Sequence, residues 1–418
     1  NVYPRFKARK LFNKFKVSLN VENSEVYKLL KETTKKDLIL DYSQLRIGLL
    51  HYLNVALPKN AVIATTSYTI FDMINIILNS DKKPFFVDIE KENLGPNRYQ
   101  LINLVINKKV DCIIYTYLHG YKSNILELSK VCKKYGCLLI EDCAQSLWNF
   151  DKTVDSLPGS FGDIALFSTG LYKNINSISG GLLCLNSNDE ISSILLKEHK
   201  KLKHFISKDF LNRFFYSFFF KLITNKYIFS LVTFQILKFG FRNNLEFINK
   251  RAREENNPRY IKRNYKDILK MNMVQKLLIN VKTKKSFLQD FKKKNKLAQI
   301  YLENLDNRLI EDYIRIPGLN KDLDYKEFQK ISSNNQLPLI CKDKDKLLSY
   351  LIKNNFDIAA QHIKNLSSLE IYSSFEKENI YYSEIISNSL ILLPCYPDFP
   401  LSEAKKISEY INKYYFKK

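Results

Sequence analysis

The chain has 418 residues, 45% of them hydrophobic, which is ample for a buried core and suggests two or three structural domains. Only 11 Gly and 11 Pro argue against a disordered or low-complexity protein. Lys and Arg number 66 against 43 Asp and Glu, a net charge of +23, which favours anionic partners (nucleotides, phosphates, acidic membrane surfaces, nucleic acid) without choosing among them.

A compositional bias toward Lys, Asn, Ile, Tyr and Phe accounts for the charge equally well. The basic N-terminal stretch is followed by no apolar run of signal-peptide quality, and residues 1–40 are read as an N-terminal arm. Helical patterning covers Glu25–Glu32 and Leu45–Val55. From residue 61 short apolar runs recur: AVIATT (61–66), PFFVDI (84–89), DCIIYTY (111–117), CLLIED (137–142), DIALFST (163–169) and GGLLCLN (180–186). Their length and aliphatic or aromatic content predict buried strands. Helix-length segments such as Tyr68–Leu78 and Asn124–Tyr135 separate several of them. This alternation predicts an α/β fold, a three-layer α/β/α domain over 41–197 with a mainly parallel sheet. Residues 198–290 read as helical, basic and aromatic. Residues 291–418 read as a smaller C-terminal α+β domain, with a strand at Leu337–Ile340 and helices at Lys342–Lys353 and Glu403–Tyr414. The seven Cys lack C-x-x-C spacing or a paired His, so no metal site or disulfide framework is expected, and a reducing cytosol fits best.

Ligands of parallel sheets sit at the C-terminal ends of the strands. One run ends in Glu141-Asp142, and the next ends at Ser168, with Lys173 just beyond. An acid and an amine at neighbouring strand ends can share one crevice, which is the pair that pyridoxal-phosphate chemistry needs. The amine bonds the cofactor aldehyde and carries a proton, and the acid keeps the pyridine nitrogen protonated. Each residue alone has a plainer reading, a solvated Lys or a turn-capping Asp. The order and spacing carry the inference.

Glu141-Asp142-Cys143-Ala144-Gln145, Gly162-Asp163 through Phe167-Ser168, Lys173 and Gly180-Gly181 resemble the DegT/DnrJ/EryC1/StrS family of pyridoxal-phosphate-dependent aminotransferases, of fold type I. PFFVDIE (84–90), Tyr117-Leu118-His119-Gly120 and Leu393–Pro397 add to the similarity. The resemblance implies Lys173 as the Schiff-base lysine, Asp142 on the pyridine nitrogen, Gln145 near the ring hydroxyl and Ser168 on the phosphate. It places Arg46 where the family has a phosphate-binding Thr, after Leu45 in place of Gly. In the ring-stacking register stands Ile70, leaving Tyr68, Phe71 or an aliphatic contact for that role. Further departures are Thr169, Ser179 and Trp148, where the family carries an aromatic, a Glu and a Gly. Asn264 is the candidate for reaching a partner subunit's phosphate. The implied enzyme is a cytoplasmic homodimer that takes an amino group from an amino-acid donor, glutamate, to a nucleotide-linked keto-sugar for surface polysaccharide. The rivals are a catalytically inactive relative acting as a regulator, a membrane-surface binding protein, or an aminotransferase on a lipid-linked or non-sugar substrate.

Residues 210–241 (FLNRFFYSFFFKLITNKYIFSLVTFQILKFGF) contain no uninterrupted apolar run of spanning length. On a helix they give a broad aromatic face and a narrow polar stripe. One reading packs them on the chain itself or on a dimer partner. The other lays them on the inner face of an anionic membrane. An RNA site would need aromatics alternating with charges on one exposed face, and no nucleic-acid partner is expected.

Overall fold

The computed structural model describes residues 2–5, 7, 24–146, 157–205, 208–245, 247–248, 259–262, 268–310, 312–319, 336–360 and 363–416. Trp148 and Asn264 lie outside them. After α1 (Glu25–Thr34) come β1 (Leu38–Tyr42), α2 (Leu45–Ala56), β2 (Val62–Thr66), β3 (Tyr68–Thr69), α3 (Phe71–Asn79), β4 (Lys83–Val87) and α4 (Arg98–Ile106). Then follow β5 (Cys112–Thr116), α5 (Leu126–Tyr135), β6 (Leu138–Asp142), β7 (Ile164–Ser168), β8 (Gly181–Leu185) and α6 (Glu190–Lys201).

An eight-stranded sheet runs in the order β1-β8-β7-β6-β5-β2-β4-β13, where β13 is Glu376–Lys377. Pairing is parallel from β7 across to β13 and antiparallel at β7–β8 and β8–β1. Alternation along each strand divides the apolar side chains between two cores. Ile113, Leu139, Ala165 and Leu182 pack with α1, α4 and α5 on one face. Ile114, Ile140, Leu166 and Leu183 pack with α2, α3 and α6 on the other. Both faces are therefore covered, which is why these strands read as continuous apolar runs.

The expected helix from Tyr68 begins only at Phe71. Tyr68-Thr69 instead pairs with Lys364-Asn365 (β12), so tertiary pairing overrides the local helical pattern. A second, antiparallel sheet joins β9 (Ile314–Arg315), β10 (Leu337–Cys341), β11 (Ala359–Ala360) and β14 (Leu390–Leu393). The helices Lys284–Asn304 and Leu401–Phe416 close its core. Helix Lys284–Asn304 serves both bodies. Phe287 joins the main-sheet core, and Leu297 and Tyr301 join the second. The Asp88 carboxylate fastens the two together by accepting from the backbone N–H groups of Tyr381, Tyr382 and Ser383 at 2.7–2.8 Å and from Ser383 Oγ at 2.6 Å. Between α6 and helix Met273–Asn280 the chain forms α7 (Lys208–Ile223), a short α8 (Lys226–Ile228), a π-helical turn and α9 (Phe234–Arg242).

Candidate active site

The end of β6 carries two acids that alternation sends to opposite faces. Glu141, fully buried, accepts from Tyr117 Oη at 2.6 Å and from the N–H groups of Gly159, Phe161 and Gly162 at 2.8, 2.7 and 2.6 Å. It is a structural carboxylate that pins 159–162 against the sheet. Asp142 faces the other way and accepts from Ala144 N–H at 3.0 Å and from Thr116 Oγ1 at 3.4 Å. Burial raises its pKa, while the Ala144 N–H, the Lys173 ammonium and the Thr116 hydroxyl pull it back.

Lys173 lies on the loop between β7 and β8. Burial lowers its pKa against the opposing pull of Asp142, so the two groups share one electrostatic environment. The loop is stapled at its base. Thr169 N–H donates to Gly180 O at 3.0 Å, Ser177 N–H to Thr169 O at 2.9 Å, and Ser177 Oγ lies 2.7 Å from Thr169 Oγ1. Thr169 is fully buried, and its small hydroxyl side chain serves as the staple. Gln275 Nε2 braces the same loop by donating to Ser179 O at 2.5 Å and to Ser179 Oγ at 3.1 Å. The two glycines that follow are sterically required. A Cβ on Gly180, at φ +150°, would fall 2.3 Å from Thr169 Oγ1, and one on Gly181 would fall 2.2 Å from Leu45 Cα. That close approach sets the N-terminus of α2 beside the loop.

Asp142, Ser168, Lys173 and Arg46 line one cavity of about 460 Å³, with Gln44 and Leu45 at the start of α2. The Gln44 side chain makes no capping bond, so the first-turn N–H groups are not satisfied by it. Arg46 is ion-paired with Asp72. Two of the six expected site residues are not among the cavity-lining residues. Gln145 Oε1 accepts from His119 N–H at 2.9 Å and supports that residue's left-handed backbone, φ 53°. Tyr68 is fully buried among Ile89, Leu118, Ile363 and Leu392, because β3 is drawn into pairing with β12. Ile70, 42% exposed, lines the cavity instead. Sequence reasoning missed Asp72, Gln275 and, from α7, Arg213 and Tyr216, the last two also lining the cavity. Tyr172 meets Phe220 of α7 edge-on, with ring centroids 5.3 Å apart. No local signal pointed to these residues, which arrive from distant segments.

The profile of the DegT/DnrJ/EryC1/StrS aminotransferase family matches residues 43–209. A GDP-perosamine synthase of Vibrio cholerae is 30% identical over 129 residues, 31% of this chain and 34% of that protein. The chain thus aligns with about a third of the length of such curated relatives. Helicobacter pylori PseC, an aminotransferase involved in the biosynthesis of pseudoaminic acid, superposes with a TM-score of 0.66 at 19% identity, over 97% of this chain and 93% of that one. A GDP-4-keto-6-deoxymannose-3-dehydratase with a trapped PLP-glutamate geminal diamine gives a TM-score of 0.65 at 14% identity, over 97% and 93%. The fold is therefore that of the pyridoxal-phosphate-dependent aminotransferases. The segment that resembles the DegT/DnrJ/EryC1/StrS aminotransferase family, residues 43–209, is the one that holds Asp142, Ser168 and Lys173.

Proposed function

We propose that the protein is a pyridoxal-phosphate-dependent aminotransferase that carries an amino group from glutamate to a nucleotide-linked keto-sugar, working as a homodimer in surface-glycan synthesis. The observation that carries this reading is the single cavity onto which a buried acid, an amine of lowered pKa, a hydroxyl and a helix N-terminus all open. The named activities of the relatives support a sugar acceptor, and the glutamate adduct of the dehydratase supports the donor.

The residues fit the cofactor. A Cβ on Gly170 would lie 3.8 Å from Ser168 Oγ and 3.9 Å from Lys173 Cγ, so glycine keeps open the corner that those side chains share. The cavity volume falls within the range of small-molecule sites, roughly 300–1,000 Å³. When bound, pyridoxal phosphate supplies an aldehyde and a ring that accepts electrons. Asp142 would hold the proton on the ring nitrogen, and the Lys173 charge helps to keep its carboxylate ionised. Lys173 Nζ would act first as nucleophile, its lowered pKa leaving more neutral amine near pH 7, and then as the base that takes and returns the proton of the donor Cα. Ser168 Oγ and the first N–H groups of α2 would hold the phosphate. Arg46 would reach that phosphate by sharing its guanidinium with Asp72. Ile70 would cover one ring face, while Gln145, turned to His119, supports the site from outside the cavity. A lysine at position 173 favours transamination over the dehydratase chemistry of relatives that carry His there.

The half-reaction tests this directly. Cofactor-loaded protein mixed with glutamate and no sugar should lose its visible absorbance and release about one 2-oxoglutarate per site. An unchanged spectrum and no oxo-acid would refute the assignment.

A further inference from the structure

Helix α7 exposes far more apolar surface than an ordinary amphipathic helix. At the buried positions Ser217 and Thr224 its chain segment is small and polar, 2% and 4% exposed. Phe210 is buried, but most of the other aromatic and aliphatic side chains of the helix point outward: Phe215 is 64% exposed, Phe218 67%, Phe219 56% and Leu222 49%. Beyond the turn, Phe229 and Phe234 are buried, whereas Leu231 and Phe239 are 75% and 60% exposed. A helix held only by its own domain buries such residues and exposes the polar ones. The hairpin is nevertheless fixed in place. Thr233 Oγ1 donates to Ile223 O at 2.9 Å, and Lys238 Nζ donates to Asn355 Oδ1 at 2.6 Å and to Lys353 O at 3.1 Å. The outward aromatics are therefore a presented surface rather than a frayed segment. A contiguous apolar face of this extent marks an interaction site.

Charge selects the occupant. Residues 210–241 contain Arg213, Lys221, Lys226 and Lys238 and no Asp or Glu, in a chain of net charge +23. Two copies meeting through this face would bring like charges together. An anionic bilayer satisfies both features, taking aromatic rings at the acyl boundary and cations at the headgroups. Among the described residues no helix is long and apolar enough to cross a membrane, so the hairpin would lie in the plane of the interface. We infer that the α7–α9 hairpin is a docking surface for an anionic membrane. Arg213 and Tyr216 line the cavity from the same helix, so docking sets the cavity mouth beside the headgroups. The inference goes beyond the aminotransferase reading and is tested without it.

The cofactor-loaded full chain would be sedimented with phosphatidylcholine vesicles and with vesicles of phosphatidylcholine and phosphatidylglycerol at about 3:1. Binding is expected only with the anionic lipid, falling several-fold as salt rises. Joint Phe215→Ser, Phe218→Ser and Phe219→Ser substitution should weaken it at least about tenfold while leaving light-scattering mass and the glutamate half-reaction unchanged. Lys221→Glu with Lys226→Glu, which spares the apolar face, should abolish the dependence on anionic lipid. The idea is overturned if wild type ignores both vesicle types, if charge reversal leaves lipid selectivity intact, or if the serine variant loses self-association, which would make the face a contact between copies of the chain.

Discussion

Asp142 and Lys173 show most clearly how residue chemistry is set by position. Burial moves each toward its neutral form, and each opposes that shift in the other. A carboxyl whose pKa is raised in the folded state binds more protons there than in the unfolded chain. Folding stability then declines as pH rises from the ordinary carboxylate range through the raised value. Asp142→Asn removes this cost, so the cofactor-free variant should gain stability relative to wild type as pH rises toward 7. The gain should be smaller at about pH 3, below the ordinary carboxylate value of about 3.9, than at pH 7. Urea denaturation at both pH values checks this, and an equal difference at both would mean that Asp142 carries no burial cost. The pair was legible in the sequence because Asp142 ends one apolar run and Lys173 lies just beyond the next. Arg46 was legible only as a cation, since its partner Asp72 comes from another helix.

Single elements show where sequence pattern suffices and where it fails. Six apolar runs foretold six strands, because burial on both faces leaves no other composition open to them. Strand β1 escaped notice, being an edge strand paired antiparallel to β8 and set by contact rather than by periodicity. The Tyr68–Leu78 pattern concealed a short strand for the same reason. The loops that follow the strands are held by buried polar groups whose partners lie far along the chain. Glu141 is the clearest case, a carboxylate surrounded by donors. Glu141→Gln keeps its shape but turns an N–H group toward those donors. A loss of about 3 kcal/mol is expected, read as a shift in the urea midpoint. A loss below about 1 kcal/mol would show that the 159–162 segment repacks without the charge.

At the scale of the whole molecule, the main sheet supplies the acid and the amine, and the second body is clamped to its edge. Asp88, from a motif the sequence flagged without a role, makes that clamp by capping the helix Tyr382–Ser389. The α7–α9 hairpin, reaching the cavity through Arg213 and Tyr216, joins the outer surface to the site. Its composition was visible in the sequence, whereas its outward orientation depends on the three-dimensional packing of the rest of the chain. The reading as a whole depends on Lys173 being the amine that holds the cofactor. Borohydride reduction of the pyridoxal-phosphate-loaded protein, followed by peptide mass mapping, tests this most directly. The account predicts a stoichiometric pyridoxyl mass on the peptide containing Lys173 and none after Lys173→Ala. A label on another lysine, or one that survives that substitution, would contradict it.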